Sequence, residues 1–369
     1  MDCEVLTGTV DIKAHLKTLS EVHAPSGYET AAREAILSAW QPLTDAQETS
    51  RLGSLVAYKH GSGAEPRRRI MLCAHMDEIG MIVSRIEGAF IRVGSLGGID
   101  SRAIIGKPVL VHTREGALQG VVGALPLSML SDDQRGRYPS LEEIYIDLGL
   151  AAEAVARRVR VGDIVTMNLP LLELQDRRVA GKAMDNRACV AVISACLDAL
   201  QRMKHSWDVL AVASVQEEVG LHGARAEAYR LNPDIAIALD VTFAPQPNVP
   251  SPTFELGGGV PLALGANFHP ALFEAIKKTA ERLEMSLPID PVPMASGTDA
   301  WAIQISRDGI PTALLSIPTR NMHTTVETVD LRDIERGGRL LAEFIAALDE
   351  QFLTEIVWDK PEQTEKKDA

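Results

Sequence analysis

Seven side chains that can bind a cation or move a proton stand at comparable points along this chain: His75, Asp77, Asp185, Glu217, Glu218, Asp240 and His323. Most of them come directly or shortly after a short apolar run. His75 and Asp77 follow 70–74, Glu217 and Glu218 follow 209–215, Asp240 follows 235–239, and His323 comes a few residues after 314–317. Asp185 stands just before a helical segment that opens near Asn186. In open α/β sheets ligands gather in the crevice beyond the carboxyl ends of the strands, so this order puts two imidazoles and five carboxylates on one rim. Left bare, such a set would repel or stay partly protonated, whereas divalent cations would neutralise the excess negative charge. Imidazole mixed with carboxylate suits Zn²⁺ and also permits Co²⁺ or Mn²⁺. Each residue alone has a plainer role, as a hydrogen-bonding His, a solvated Glu pair, or an Asp that caps a helix or forms a turn. Their joint placement is what points to a metal site.

The elements that must carry these residues alternate. Ser26-Gly27-Tyr28-Glu29 has the form of a capping box ahead of a helix reaching about Trp40. Strand character follows at 54–58 and at 70–74, the second run almost wholly apolar, as expected of a strand buried on both faces. Over 79–175 the texture changes to many glycines and short alternating runs, the signature of a small β-rich module. After Val179 the alternation of helix and strand returns, with helices over 186–203, 222–230 and 270–284, another after Ser296, and a last one opening at Asp330. Strands are expected at 209–215, 235–239 and 312–317. The fold class is therefore α/β, a mixed sheet sandwiched by helices, with an inserted small β-rich domain. We assign 1–78 and 177–369 to a discontinuous catalytic domain, 79–176 to the insert, and 360–369 to a solvated tail.

Composition excludes several classes. A net charge of −13 argues against nucleic-acid binding, which leans on clustered Lys and Arg. The one basic run, Arg67-Arg68-Arg69, precedes an apolar strand and reads as a strand-edge cluster. The first residues lack the basic start and apolar core of a secretion signal, and no stretch approaches the roughly 18 apolar residues of a membrane span, so a cytoplasmic protein is expected. Cys3, Cys73, Cys189 and Cys196 form no CxxC pair; the last three read as small buried hydrophobes in a reducing compartment.

Six motifs in sequence order carry a family resemblance: His75-Met76-Asp77-Glu78-Ile79-Gly80, Met184-Asp185-Asn186-Arg187, Gln216-Glu217-Glu218-Val219-Gly220, Ala238-Leu239-Asp240-Val241-Thr242, Gly297-Thr298-Asp299-Ala300 and Met322-His323. Their order and approximate spacing resemble those of the M42 family of co-catalytic metallo-aminopeptidases, which includes the glutamyl aminopeptidases and the TET peptidases. The likeness spans nearly the whole chain and implies a zinc-exopeptidase-like fold with two divalent ions per chain. It implies that Asp185 bridges the ions, that His75 and Asp240 complete one, and that Glu218 and His323 complete the other. Asp77 would hold His75 in its metal-binding tautomer, and Glu217 would be the general base. The implied reaction is release of the N-terminal residue from short peptides with a free amine. The insert would mediate self-association, in some relatives up to a dodecamer.

The chain departs from the family pattern around the pocket. The usual double Gly before Thr-Asp is here Ser296-Gly297, the Tyr often found before Met-His is Asn321, and the loop after Thr242 reads Phe243-Ala244-Pro245-Gln246-Pro247-Asn248-Val249-Pro250. No side-chain preference transfers across these changes. Asp299 and Arg320 are candidate substrate contacts; for Asp299 the plainer role is helix capping. Three rivals remain open: a metal-dependent carboxypeptidase or N-deacylase recruiting Arg187 or Arg320, a glycosidase of endoglucanase type, and a non-catalytic metal-binding scaffold. A glycosidase needs a carboxylate pair across a sugar cleft, normally with aromatic platforms, and only 4% of residues here are aromatic.

Overall fold

In the computed structural model, which describes residues 10–250 and 252–358, the apolar runs become the strands of one eight-stranded sheet. Strands β1 (Ala46–Thr49), β2 (Leu55–Lys59) and β3 (Arg69–His75) come first. The chain then leaves the sheet for six strands, β4 (Gly80–Glu87), β5 (Phe90–Leu96), β6 (Pro108–Thr113), β7 (Gly116–Gly123), β8 (Tyr145–Asp147) and β9 (Ile164–Met167). These close on themselves as a barrel in the order β4-β5-β8-β7-β6-β9, which leaves no exposed sheet edge. Two short strands, β10 (Leu172–Glu173) and β11 (Arg178–Gly181), lead back. The remainder supplies β12 (Asp208–Ser214), β13 (Ile235–Phe243), β14 (Leu262–Gly265), β15 (Ile289–Val292), β16 (Thr312–Thr319) and β17 (Glu327–Asp330).

The main sheet runs β1-β2-β12-β3-β13-β16-β14-β15, and its four central strands, β12, β3, β13 and β16, are parallel. Their side chains alternate between two cores, as a period of two requires. Ile70, Leu72 and Ala74 face a layer made by the helices Ile12–Glu21, Thr30–Trp40, Met184–Leu200, Pro270–Arg282 and Leu331–Ala347. Met71 and Cys73 face the helices His222–Leu231 and Asp299–Gln304. Burial of each large apolar side chain among them contributes on the order of 1.5–3 kcal/mol, which ties the central strands to both cores.

Several local expectations change. The Ser26 to Glu29 capping box does not form: Glu29 is the N-cap of the Thr30–Trp40 helix but makes no side-chain cap. Its carboxylate instead accepts the Gly27 and Gln216 N–H groups, and Ser26 donates to Asp77 at 2.6 Å. A nearby buried carboxylate outcompetes the helix end for the hydroxyl. Strand β13 runs on to Phe243, because its pairing with β16 continues through Phe243↔Thr319, so Asp240 lies inside the strand rather than after it. The Asp330 N-cap does form, accepting from Arg332 N–H.

At the opposite end of the sheet, Arg67 pairs with Asp208 at 2.7 Å and Arg68 with Asp234 at 3.1 Å, which makes the basic run a strand-edge cluster. Cys73, Cys189 and Cys196 are buried and unoxidised, and burial pushes each thiol pKa up. Cys3 and the tail 360–369 lie outside the described residues. Among the described residues no helix is long and apolar enough to cross a membrane.

Candidate active site

The rim expected from the sequence exists. His75 ends β3, in register with Ser214 at the end of β12, while Asp240 stands in β13 beside Ser316 of β16. Asp185 opens the Met184–Leu200 helix with a non-helical backbone, and Asn186 behind it is anchored by its side-chain donation to Leu239 O at 2.8 Å. His323 sits in the loop between β16 and β17 in the left-handed region, at φ 59°.

Asp185 lies at the centre of the group. Its Oδ1 is 3.1 Å from His75 Nε2 and its Oδ2 is 3.2 Å from His323 Nε2, so each oxygen faces a different imidazole. Around His75 Nε2 lie Glu217 Oε2 at 3.8 Å and Asp240 Oδ1 at 3.9 Å. Glu218 Oε1 lies 3.5 Å from His323 Nε2. Two sets, His75 with Glu217 and Asp240, and His75 with Asp185 and Glu218, each gather their ligand atoms within 4.8 Å of one another.

The supporting contacts explain why the side chains converge. Asp77, wholly buried, accepts Ser26 Oγ and the N–H groups of Glu217 and Glu218 at 3.1 and 3.2 Å. It thereby fixes the Glu-Glu turn as well as standing beside His75, whose Nδ1 is 3.3 Å from the Asp77 carbonyl oxygen and 3.5 Å from its carboxylate. The expected carboxylate-to-His75 hydrogen bond is thus shared with the backbone carbonyl of the same residue. The ring of His323 is oriented from the barrel side, with Nδ1 3.1 Å from Gly98 O. A Cβ on Gly98 would stand 2.7 Å from that same Nδ1. At Gly97, φ +78°, a Cβ would stand 3.2 Å from Glu218 Cβ. Only glycine lets this barrel loop lie so close.

The electrostatics match a set built to receive cations. Burial, together with the carboxylates of Asp240, Asp299 and Glu218, pushes Glu217 up to about 10 against the pull of His75. Burial and Asp185 raise Glu218 to about 7, and burial and Asp185 also push Asp240 well above the ordinary range. For His75 burial acts downward, but Glu217, Asp185 and Asp77 outweigh it and hold the imidazole well above its usual pKa. His323 is raised to about 9 by its bond to Asp185. Glu218 Oε1 is buried and has no hydrogen-bond donor. An oxygen left bare among carboxylates, with two imidazole nitrogens in reach, is a donor set that fits divalent metal.

Asp299 is placed differently from expectation: it is 1% exposed, with Oδ2 held by Ser214 Oγ at 2.6 Å and Cys73 Sγ at 3.5 Å. It is therefore an interior group under the rim rather than an open substrate contact, and it makes no cap, since Thr298 is the N-cap. Arg320 directs Nε to Pro245 O at 2.8 Å and so braces the 243–250 loop. Arg187, a candidate for gripping a substrate carboxylate, is fully buried and spends its donors on the carbonyls of Leu19, Val22, Ala24 and Met76 and on Glu78. One residue escaped sequence reasoning. Glu327, 1% exposed, accepts Asp185 N–H at 3.0 Å and His323 N–H at 2.8 Å.

The family model described as M42 glutamyl aminopeptidase matches residues 53–340. A lysyl aminopeptidase of Pyrococcus furiosus is 36% identical over 337 residues, covering 88% of this chain and 94% of its own. A TET aminopeptidase structure from the marine sediment archaeon Thaumarchaeota archaeon SCGC AB-539-E09 superposes with a TM-score of 0.89 at 30% identity, covering 94% of this chain and all of its own. A further structure, described as a peptidase/endoglucanase, is 38% identical with a TM-score of 0.75, covering 92% of this chain and all of its own.

Proposed function

The chain belongs to the M42 glutamyl aminopeptidase family, and on that footing we propose that it removes N-terminal residues from short peptides at a two-metal centre, with Glu217 as general base. The observation that carries this reading is the carboxylate of Asp185, whose two oxygens face two different imidazoles with Glu217 alongside. His75, Asp240 and Asp185 would hold one ion, and Asp185, Glu218 and His323 the other. Zn²⁺ suits this mixed set, and Co²⁺ or Mn²⁺ would also be accepted. Bound there, divalent ions supply Lewis-acid polarisation of the scissile carbonyl and a water of lowered pKa.

The chain's own residues would do the rest. Glu217 takes the proton of the attacking water on a carboxylate oxygen and returns it to the nitrogen of the leaving amine. Asp77 keeps Glu217 in place by holding its N–H, and keeps His75 turned with Nε2 toward Asp185. Asp299, below the rim, adds negative charge that favours the protonated form of Glu217 between the two transfers. Divalent cations held by its neighbours would lower the pKa of the base by neutralising the carboxylates around it.

The rivals lose ground on particular contacts. A carboxypeptidase or deacylase needs a free cation for a substrate carboxylate; Arg187 is buried and engaged by carbonyls and Glu78, which of the two candidates leaves only Arg320, whose Nε is held by Pro245 O. An endoglucanase name attaches to two similar structures, but here two imidazoles converge on the carboxylates, whereas glycoside cleavage rests on a carboxylate pair across a sugar cleft. A non-catalytic scaffold leaves the placement of Glu217 without a purpose. The deciding assay sets a panel of aminoacyl chromogenic amides against one N-acylated control, before and after exhaustive chelation. Hydrolysis restricted to free amines and abolished by chelation is expected. Faster cleavage of the N-acylated control, or cellulose hydrolysis that survives chelation, would overturn the assignment.

We assign self-association to the barrel region within 79–176, because Leu125, Leu127, Met129 and Tyr138, between β7 and β8, are between 50% and 71% exposed. Light scattering on the assayed sample measures the assembly, up to the dodecamer that the family likeness suggests. The barrel also reaches the chemistry through Gly98. Gly98→Ala is expected to push the His323 ring away and to lower affinity at the position made by Asp185, Glu218 and His323 by about 10–100-fold, a usual cost for a lost orienting contact. Competition with a chromophoric chelator measures it; wild-type affinity would show that the ring finds another seat.

A further inference from the structure

The second metal position is built from residues on two segments far apart in sequence, and one buried carboxylate ties their backbones together. Glu327 begins β17, which pairs antiparallel with β11 through Gly181↔Glu327. From β11 the chain runs directly into Met184 and Asp185. Glu327 therefore sits between the start of the Met184–Leu200 helix and the loop that carries His323. Its Oε2 accepts Asp185 N–H at 3.0 Å and its Oε1 accepts His323 N–H at 2.8 Å.

Both oxygens are engaged by main-chain donors and the side chain is 1% exposed, so Glu327 is not itself placed as a ligand. His323 holds a left-handed backbone at φ 59°, a conformation that a non-glycine residue keeps only when its surroundings impose it. Asp185 likewise departs from helical geometry in the first turn of its helix. The His323 backbone would not hold its angle from local preference alone. The side chains of the two residues meet at 3.2 Å, His323 Nε2 against Asp185 Oδ2. No hydrogen bond joins Glu327 to His75 or Asp240, the residues that complete the first position.

From this we infer that Glu327 is a positioning residue chiefly for the second metal position: by holding the N–H groups of Asp185 and His323 on its two oxygens, it sets the imidazole that belongs to that position alone against the carboxylate that both positions share. The inference rests on the two-metal reading, and the following experiment separates the two. Metal-free protein is titrated with Zn²⁺ by calorimetry in competition with a chelator, for wild type and for Glu327→Gln. Glutamine keeps the shape but offers one acceptor oxygen; its NH₂ group faces the other main-chain N–H. Wild type is expected to bind two ions per chain in two steps. In the variant the first step stays within about threefold of wild type while the second weakens by about 10–100-fold, the range for loss of an outer contact to a ligand.

The unfolding temperature of the metal-free variant is expected to fall by a few degrees, because one buried main-chain N–H loses its acceptor; a merely structural role would weaken both binding steps alike, whereas a positioning role weakens the second. Equal weakening of both steps, or a second step unchanged from wild type, overturns the assignment of Glu327. Failure of the wild-type protein to take up a second ion overturns the two-metal reading instead. Should the glutamine variant not fold, Glu327→Asp is read in its place: it keeps the charge but is one methylene too short to reach both N–H groups, and the same selective loss of the second step is expected.

Discussion

Glu217→Gln is expected to lower kcat by about three orders of magnitude while the protein still binds two divalent ions per chain. A positioned general base contributes roughly 10²–10⁴-fold, so a thousandfold loss, about 4 kcal/mol at 1.36 kcal/mol per tenfold, lies within what proton transfer alone can supply. The Glu217 side chain is 9% exposed, its main-chain N–H is held by Asp77, and its Oε2 lies 3.8 Å from His75 Nε2. Glutamine fits the same space and leaves the Asp77 contact intact, because that contact is to the backbone. What it removes is the capacity to accept a proton. Metal content measured by emission spectroscopy on the assayed sample separates the two effects; kcat within tenfold of wild type would take Glu217 out of the mechanism.

The opposite dissociation is expected at Asp185. Asp185→Asn should abolish turnover, by at least about four orders of magnitude, because it removes the one group that both proposed ions share. An amide keeps one acceptor oxygen but turns an N–H₂ group toward either His75 or His323, each of which lies about 3 Å from a carboxylate oxygen here. Zn²⁺ binding should fall at both positions, and excess metal should not restore activity. A variant that retained two ions and lost only rate would show that the bridging role is misassigned.

The proposed ligand set is legible in the amino-acid sequence for a definite physical reason. Strands that form the buried centre of a sheet are apolar nearly throughout, so the polar residues at their carboxyl ends stand out, as His75 does after Ile70-Met71-Leu72-Cys73-Ala74. Asp240 was found by the same sign, although β13 carries on past it to Phe243. Glu327 was not legible. It lies in a short polar strand, and nothing local distinguishes it from an edge residue until folding brings it to Asp185, 142 positions away. Ser26 and Glu29 failed in the opposite sense, because the capping-box pattern is a local signal and the competing acceptor, Asp77, is 51 positions distant from Ser26. The barrel's β texture could be read from Gly80 onward, but its closure by β4 against β9 is a long-range pairing that alternation does not encode.

The contact between Gly98 and His323 bears on how such proteins can be recombined. By architecture the natural place to exchange one barrel for another is the crossing between His75 and Gly80, where the main sheet ends and the barrel begins. The chemistry draws its border elsewhere. Because the loop at Gly97 and Gly98 shapes the surroundings of Glu218 and His323, a chimera joined at the architectural seam would import a foreign wall for the candidate site along with the rest of the barrel. Chimeras that keep this loop with the parent of the main sheet should retain the parent's metal affinities, whereas those that take it from the donor should inherit a changed metal preference even with every proposed ligand intact.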